Sequence, residues 1–176
     1  MSLLVTGAAG FLGSAVIRSA RELNLAHTAV VKPGRTKTLN PENSAVEASI
    51  EDLKASGLLA RHKTVFVGHG TPNPLKKEPS PASEICDENI KLLRFLRECA
   101  EANVKRVVVP SSGGTIYGNV PIGQATEEWP ARPESLYGWG KLMTERVCAD
   151  VSLETGLEII CLRIGNAYGI EQDPRK

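Results

Sequence analysis

The stretch Leu3-Leu4-Val5-Thr6-Gly7-Ala8-Ala9-Gly10-Phe11-Leu12-Gly13 decides the fold. Leu3, Leu4 and Val5 form an apolar run too short for a helix, and Gly7 ends it, which reads as a buried strand. Ala15, Val16, Ile17 and Ala20 then recur at helical spacing. The glycines therefore stand where a strand turns into a helix, the context that a dinucleotide fingerprint requires. Gly7 permits the tight turn, Gly10 lets backbone approach a pyrophosphate, and Gly13 lets the helix lie close to the sheet. The amides that open the helix, those of Phe11 and Leu12 among them, would then face the phosphates together with the positive end of the helix dipole. The spacing is GxxGxxG rather than GxGxxG, and taken alone it also suits an ordinary Gly/Ala-rich turn.

The rest of the chain continues the alternation. Strands are expected at Thr28 to Val31, Ala45 to Ala48, Thr64 to Val67, Val104 to Val109 (ended by Pro110) and Leu157 to Ile164. Helices are expected near Glu51 to Leu59, along the stripe Ile85, Asn89, Leu92, Leu93, Leu96 and Ala100, and from Tyr137 to about Glu154. Pro72, Pro74, Pro79 and Pro81 mark a long surface loop, and 118–133 is also loop. The pattern implies one α/β domain over residues 1–176: a Rossmann-like, doubly wound parallel sheet of about six strands, with helices on both faces and ligands at the carboxyl ends of the strands.

Composition excludes several classes. A net charge of +1 gives no electrostatic case for nucleic acid or an anionic membrane. No stretch has the apolar length of a membrane span, and the apolar N-terminus reads as a first strand rather than a signal peptide. Cys86, Cys99, Cys148 and Cys161 show no metal-type spacing and are expected to be reduced, mostly packed thiols in a cytoplasmic protein. No trio of metal ligands is visible. His27 and His62 are expected to be solvated. His69, after the fourth strand, is expected to line the cofactor cleft. Trp129 and Trp139 read as packing residues.

The second half carries candidate chemistry. Ser111-Ser112-Gly113-Gly114-Thr115-Ile116-Tyr117-Gly118 follows the fifth strand, which would put its hydroxyls at the carboxyl edge of the sheet. Tyr137 and Lys141 are four apart, on one face of a helix. A phenol is a poor base at its reference pKa near 10, but an adjacent ammonium and an oxidised nicotinamide both favour the phenolate. Tyr137 could then take a proton from a substrate hydroxyl as hydride leaves the same carbon, with a Ser or Thr hydroxyl holding the oxygen. YxxxK also occurs by chance on amphipathic helices. The stripe Trp139, Met143, Val147 and Val151 can pack against protein.

In the order TGAAGFLG, SSGGTIYG, YGWGK and Arg163-Ile164-Gly165-Asn166-Ala167-Tyr168-Gly169, the chain resembles the extended short-chain dehydrogenase/reductases. Within them it is similar to the NAD-dependent epimerase/dehydratase group that acts on nucleotide sugars, and Asn89 matches an asparagine of that group. The resemblance covers essentially the whole chain. It implies a Rossmann fold, a nicotinamide cofactor, Tyr137 as acid/base and Lys141 on the nicotinamide ribose. It also implies a nucleotide-sugar contact at Asn166 and dimers formed through helices matching 82–102 and 137–154.

The chain departs from the family pattern in four ways. The usual catalytic Ser or Thr position is Gly113, leaving Ser112 or Thr115 to act, with Thr115 also a candidate for substrate contact. The acidic residue that normally ends the second strand is replaced in Val31-Lys32-Pro33-Gly34-Arg35; Lys32 and Arg35 could attract a 2′-phosphate, which tilts the cofactor from NAD toward NADP. The acidic residue expected after the third strand is also missing, with Glu51 and Asp52 just beyond. Finally, family members continue for over a hundred residues into a domain closing over the substrate, so most of that domain is expected to be absent here. The functional expectation is a nicotinamide-dependent oxidoreductase or epimerase that oxidises a nucleotide-sugar hydroxyl transiently to a ketone. Gly114 and Thr115, where a dehydratase would carry an Asp-Glu pair, favour epimerase or reductase. A non-catalytic NAD(P)-binding sensor or scaffold and a small carbonyl reductase remain as alternatives.

Overall fold

The computed structural model describes residues 2–34, 45–70, 82–121 and 125–169. Its elements in chain order are β1 (Ser2–Thr6), α1 (Phe11–Glu22), β2 (Ala26–Val31), β3 (Ala45–Glu47), β4 (Thr64–Val67), α2 (Ala82–Glu101), β5 (Arg106–Ser112), α3 (Leu136–Thr155) and β6 (Glu158–Ile164). The described strands form one parallel sheet in the order β3-β2-β1-β4-β5-β6. The order reverses between β1 and β4, so a crevice opens at their carboxyl ends.

The sheet is apolar on both faces because helices cover both. On one side, Leu4, Val65, Val107 and Val109 pack with Leu92, Phe95 and Leu96 of α2 and with Cys148 and Val151 of α3. On the other, Val5, Ala29, Val31 and Phe66 pack with Ile17 of α1. The four cysteines are free thiols: Cys99 and Cys148 are buried, Cys161 is half-buried and Cys86 is exposed. No helix among the described residues is long and apolar enough to cross a membrane.

Several sequence expectations need correction. Residues 51–58 form successive turns leading into a short 3₁₀ turn at Leu59–Arg61, not a helix. Three-residue closures (Asp52 N to Ser49 O, Leu53 N to Ile50 O, Gly57 N to Lys54 O) and the positive φ of Gly57 (+70°) stop an α-helix from propagating. β5 starts at Arg106, after a turn whose Asn103 has φ +58°, and runs through Pro110 to Ser112. Proline is tolerated because the β4 ladder ends at Phe66–Val108, while β6 pairing continues to Ser112–Ile164. His62 is 7% exposed, with Nδ1 on Leu58 O (2.7 Å) and Nε2 on Thr28 Oγ1 (2.9 Å). It is a satisfied core residue rather than a solvated one. Trp139 and Met143 are 57% and 42% exposed, so only Val147 and Val151 of their stripe pack inward. Trp129 is half-buried. The proline loop 72–81 lies outside the described residues.

α3 carries a conventional pair of stops. Ser135 Oγ accepts from Gly138 N at 3.0 Å, and Gly156 takes φ +72° at the other end. Ser135→Ala is expected to cost about 1 kcal/mol in urea denaturation with an unchanged m-value. A loss below about 0.3 kcal/mol would mean that packing alone fixes the start of this helix.

Candidate active site

The crevice begins where β1 meets α1. Gly7 has φ +61°, and a Cβ on it would sit 2.1 Å from Gly68 O. A Cβ on Gly13 would sit 2.3 Å from Gly7 O. Neither position can carry a side chain, so the strand–helix turn is as tight as backbone allows. Gly68 is the reciprocal partner, its own Cβ falling 2.4 Å from Thr6 O. It was missed in the sequence, although a glycine straight after β4 could have signalled a close backbone approach.

This turn leaves the start of α1 open. Gly10 precedes the helix with no side-chain cap, and the first turn holds no acidic residue. The first closing bond is Ser14 N to Gly10 O at 2.8 Å, so the amides of Phe11, Leu12 and Gly13 precede the helical ladder. An uncapped helix start without a carboxylate is a ready anion site. The structure thus brings Gly7, Gly10, Phe11, Leu12 and Gly13 together.

His69 stands at the end of β4. Its Nδ1 lies 2.6 Å from the buried Thr6 Oγ1, and its ring meets Phe95 edge-on at 5.3 Å between centroids. Burial, reinforced by the Lys32 ammonium, lowers its pKa to about 4. The ring is therefore neutral at pH 7. Since Thr6 Oγ1 donates to Phe66 O (3.1 Å), a proton on Nδ1 satisfies the contact. Lys32 itself is exposed just past β2. Glu47 Oε2 accepts from Gly34 N at 3.3 Å on the same loop. Arg35 lies outside the described residues.

A cleft runs from His69 to Asn89, Tyr137 and Lys141. Ser112 draws the Tyr137 phenol's pKa down against the effect of burial, and Thr115 Oγ1 donates to Ser112 Oγ at 2.9 Å. The structure thus brings Ser112, Thr115, Tyr137 and Lys141 together. Lys141 is 5% exposed; its Nζ donates to Pro110 O at 3.0 Å and lies 5.8 Å from the Tyr137 ring centroid. Burial lowers its pKa to about 8, so the ammonium persists at neutral pH. Tyr137 departs from expectation. Burial raises its phenol above the ordinary value, and the Ser112 hydrogen bond only partly offsets this. The ammonium, engaged by Pro110 O, does not reverse that balance.

Gly113 is explained by crowding: a Cβ there would lie 2.9 Å from Arg163 O, and its N–H donates to Ile164 O at 2.7 Å. Asn166 is exposed, its Oδ1 3.7 Å from where a Cβ on Gly114 would be. Asn89 is buried, bonded through Nδ2 to Ile85 O (2.9 Å) and through Oδ1 to Thr144 Oγ1 (3.0 Å), which ties α2 to α3 beneath the cleft. The glycines flanking Trp139 were also missed. A Cβ on Gly138 would fall 2.7 Å from Thr115 O, and one on Gly140 2.7 Å from Ile85 Cγ2. Both bring α3 against its neighbours. Among the described residues no cluster could hold a metal ion.

With this geometry in place, known proteins can be compared. Residues 3–176 match the pattern of the NAD dependent epimerase/dehydratase family. The chain belongs to that family. It is 32% identical over 185 residues to a UDP-glucose 4-epimerase of Mycolicibacterium smegmatis, covering 99% of this chain and 58% of that protein. It is 30% identical over 182 residues to a dTDP-4-dehydro-6-deoxyglucose reductase of Escherichia coli, covering 95% and 56%. In structure it resembles the Thermus thermophilus UDP-glucose 4-epimerase in complex with NAD, with TM-score 0.82, 28% identity, and 99% and 58% of the two chains covered. The chain thus spans a little over half the length of these relatives.

His69 supplies a pH test of this family member's cleft. Its folded pKa lies below the unfolded value of 6.5, so the stability it contributes is present above pH 6.5 and is lost as pH falls toward 4. Relative to His69→Gln, the wild-type chain should lose up to about 3 kcal/mol more between pH 7 and pH 4. Parallel stability curves for the two would show that the ring is not held neutral.

Proposed function

We propose that this chain forms the dinucleotide-binding part of a nicotinamide-dependent enzyme that oxidises a nucleotide-sugar hydroxyl transiently to a ketone, as an epimerase or reductase. The observation that carries the reading is that an uncapped, acid-free helix start after β1 and the Ser112–Tyr137–Lys141 cluster beside the end of β5 both stand at the carboxyl edge of one parallel sheet. Gly7, Gly10, Phe11, Leu12 and Gly13 would hold the pyrophosphate, and Lys141 the nicotinamide ribose. When bound, the nicotinamide supplies a hydride acceptor and donor. Ser112 and Thr115 orient the substrate hydroxyl, and Tyr137 Oη takes its proton and later returns it. Since burial raises the Tyr137 phenol in the free chain, the cationic charge of an oxidised nicotinamide must favour its ionised form. Asn166, beside Gly114 at the carboxyl edge, is positioned to meet the sugar nucleotide.

The finer cofactor reading favours NADP through Lys32, with Glu47 opposing it from the adjacent strand. Lys32→Ala should weaken NADP+ binding about five- to tenfold and leave NAD+ unchanged. An unaltered NADP+/NAD+ ratio would refute the phosphate role of Lys32. The exposed apolar side chains Ile90 of α2 and Leu136, Trp139 and Met143 of α3 support a homodimer through these helices, and four free thiols fit a cytoplasmic setting.

The deciding experiment titrates the protein with NAD+ and NADP+ and then assays UDP-, GDP- and dTDP-sugars. Tyr137→Phe should keep dinucleotide affinity within about threefold and lower turnover at least about 100-fold. Turnover that survives the substitution contradicts the mechanism. Binding without turnover in either protein favours the sensor or scaffold alternative. NADPH oxidation with a small carbonyl compound and no nucleotide sugar favours the carbonyl reductase.

A further inference from the structure

Beneath the hydroxyl cluster lies a polar network that the proposed chemistry does not use. Glu145 is on α3, one turn beyond Lys141. Arg163, on β6, grips it with two bonds, Nε to Oε1 at 2.9 Å and Nη2 to Oε2 at 2.7 Å. The two side chains are 12% and 25% exposed. Ser111 Oγ of β5 donates to the same Glu145 Oε1 at 2.6 Å. The remaining guanidinium nitrogen, Nη1, donates to Tyr117 Oη at 2.7 Å and to Glu127 O at 3.1 Å. The Arg163 guanidinium also lies 5.0 Å from the Tyr117 ring centroid.

One guanidinium therefore joins β6, α3, the loop after β5 and the turn at Glu127. A planar, forked cation suits this role because its fixed donors set directions as well as distances. The 113–117 loop is tethered at its far end by Tyr117 and at its near end by Ser111 and Ser112. Between them, Ile116 N donates to Ser112 O at 3.3 Å and Thr115 Oγ1 to Ser112 Oγ at 2.9 Å. Ser112 in turn acts on the Tyr137 phenol, which shares α3 with Glu145.

We infer that Glu145 and Arg163 are positioning residues: a strut, acting through Ser111 and Tyr117, that holds the Ser112 and Thr115 hydroxyls against Tyr137. Its residues are none of those assigned above to cofactor or substrate. This inference rests on the Ser112–Tyr137 assignment above, and its test keeps the two separable. The readout is the ionisation of Tyr137 in the 176-residue chain. It is followed by phenolate absorbance in rapid pH jumps and isolated by subtracting the same variant carrying Tyr137→Phe. Neither cofactor nor turnover is needed.

Ser112 draws the phenol's midpoint down, so Ser112→Ala should raise it by about half a pH unit or more. Glu145→Gln and Arg163→Met should raise it in the same direction. Neither should add to the shift of Ser112→Ala in a double variant. Glu145→Asp, which keeps the charge, should recover part of the wild-type midpoint. Tyr117→Phe leaves the ion pair intact but cuts its tie to the loop; it should shift the midpoint partway without changing the melting temperature by more than about 3 °C. This variant decides the matter if Glu145→Gln fails to fold. A folded Glu145→Gln or Tyr117→Phe chain with the wild-type midpoint overturns the strut. So does full additivity with Ser112→Ala. A Ser112→Ala chain with an unmoved midpoint removes the Ser112 assignment and the strut together, whereas a shift in Ser112→Ala without one in Glu145→Gln removes the strut alone.

Discussion

Backbone touching backbone at the end of β1 is the constraint on which the rest depends. Gly7 presses on Gly68, and Gly13 presses on Gly7, at distances where no Cβ fits. That contact holds the ends of β1 and β4 and the first turn of α1 against one another. It leaves the helix start with no side chain capping it and no acidic residue in its first turn. A helix terminus usually recruits a Ser, Thr, Asp or Asn to satisfy its amides. Here Gly10 offers no side-chain cap, and under the proposed function the amides of Phe11, Leu12 and Gly13 take an anion instead. The strand order reverses beside this helix start, where a parallel sheet opens a crevice at its carboxyl edge.

The far side of that cleft depends on α3. One helix carries Tyr137, Lys141, Thr144 and Glu145, and each is held by a different partner: Ser112, Pro110 O, Asn89 and Arg163. Its glycines, Gly138 and Gly140, let it approach Thr115 and Ile85 closely. The tilt of the helix therefore fixes the relation of phenol, ammonium and hydroxyls together. Burial has opposite effects on the two titrating groups, raising Tyr137 and lowering Lys141, because it disfavours the charged form of each. Burial thus sets the free phenol toward its neutral form, and a cationic ring beside it would tip it toward its ionised form.

Much of this was legible in the sequence, for physical reasons. Apolar runs such as Thr64 to Val67 are buried on both faces and admit only one reading, and the strands appeared where the runs stood. The Gly7–Gly13 spacing located the tight strand–helix turn because backbone clash leaves few alternatives. Tyr137 and Lys141 fell together because helical spacing makes them neighbours. What escaped depended on contacts distant in sequence. His62 reads as a solvated residue until Thr28 and Leu58 come within reach. Pro110 reads as a strand end until β4 proves too short to need its N–H. The 51–58 segment has helical composition but closes most of its turns at three residues and meets a left-handed Gly57. Gly113, where the family carries a hydroxyl, is understood only once the β6 backbone is beside it. The Arg163 network joins residues 111, 117, 127 and 145, and no local pattern announces it.

The central claim is that the open start of α1 grips the diphosphate of a nicotinamide dinucleotide whose reactive ring reaches Tyr137. Amide-resolved NMR of the ¹⁵N-labelled chain during NAD+ addition tests it most directly. The account predicts that the amides of Phe11, Leu12 and Gly13 move together with those around Ser112 and Tyr137, all along one saturating curve. Resonances at both ends that stay in place up to about 5 mM NAD+, or shifts confined to other surfaces, would contradict it.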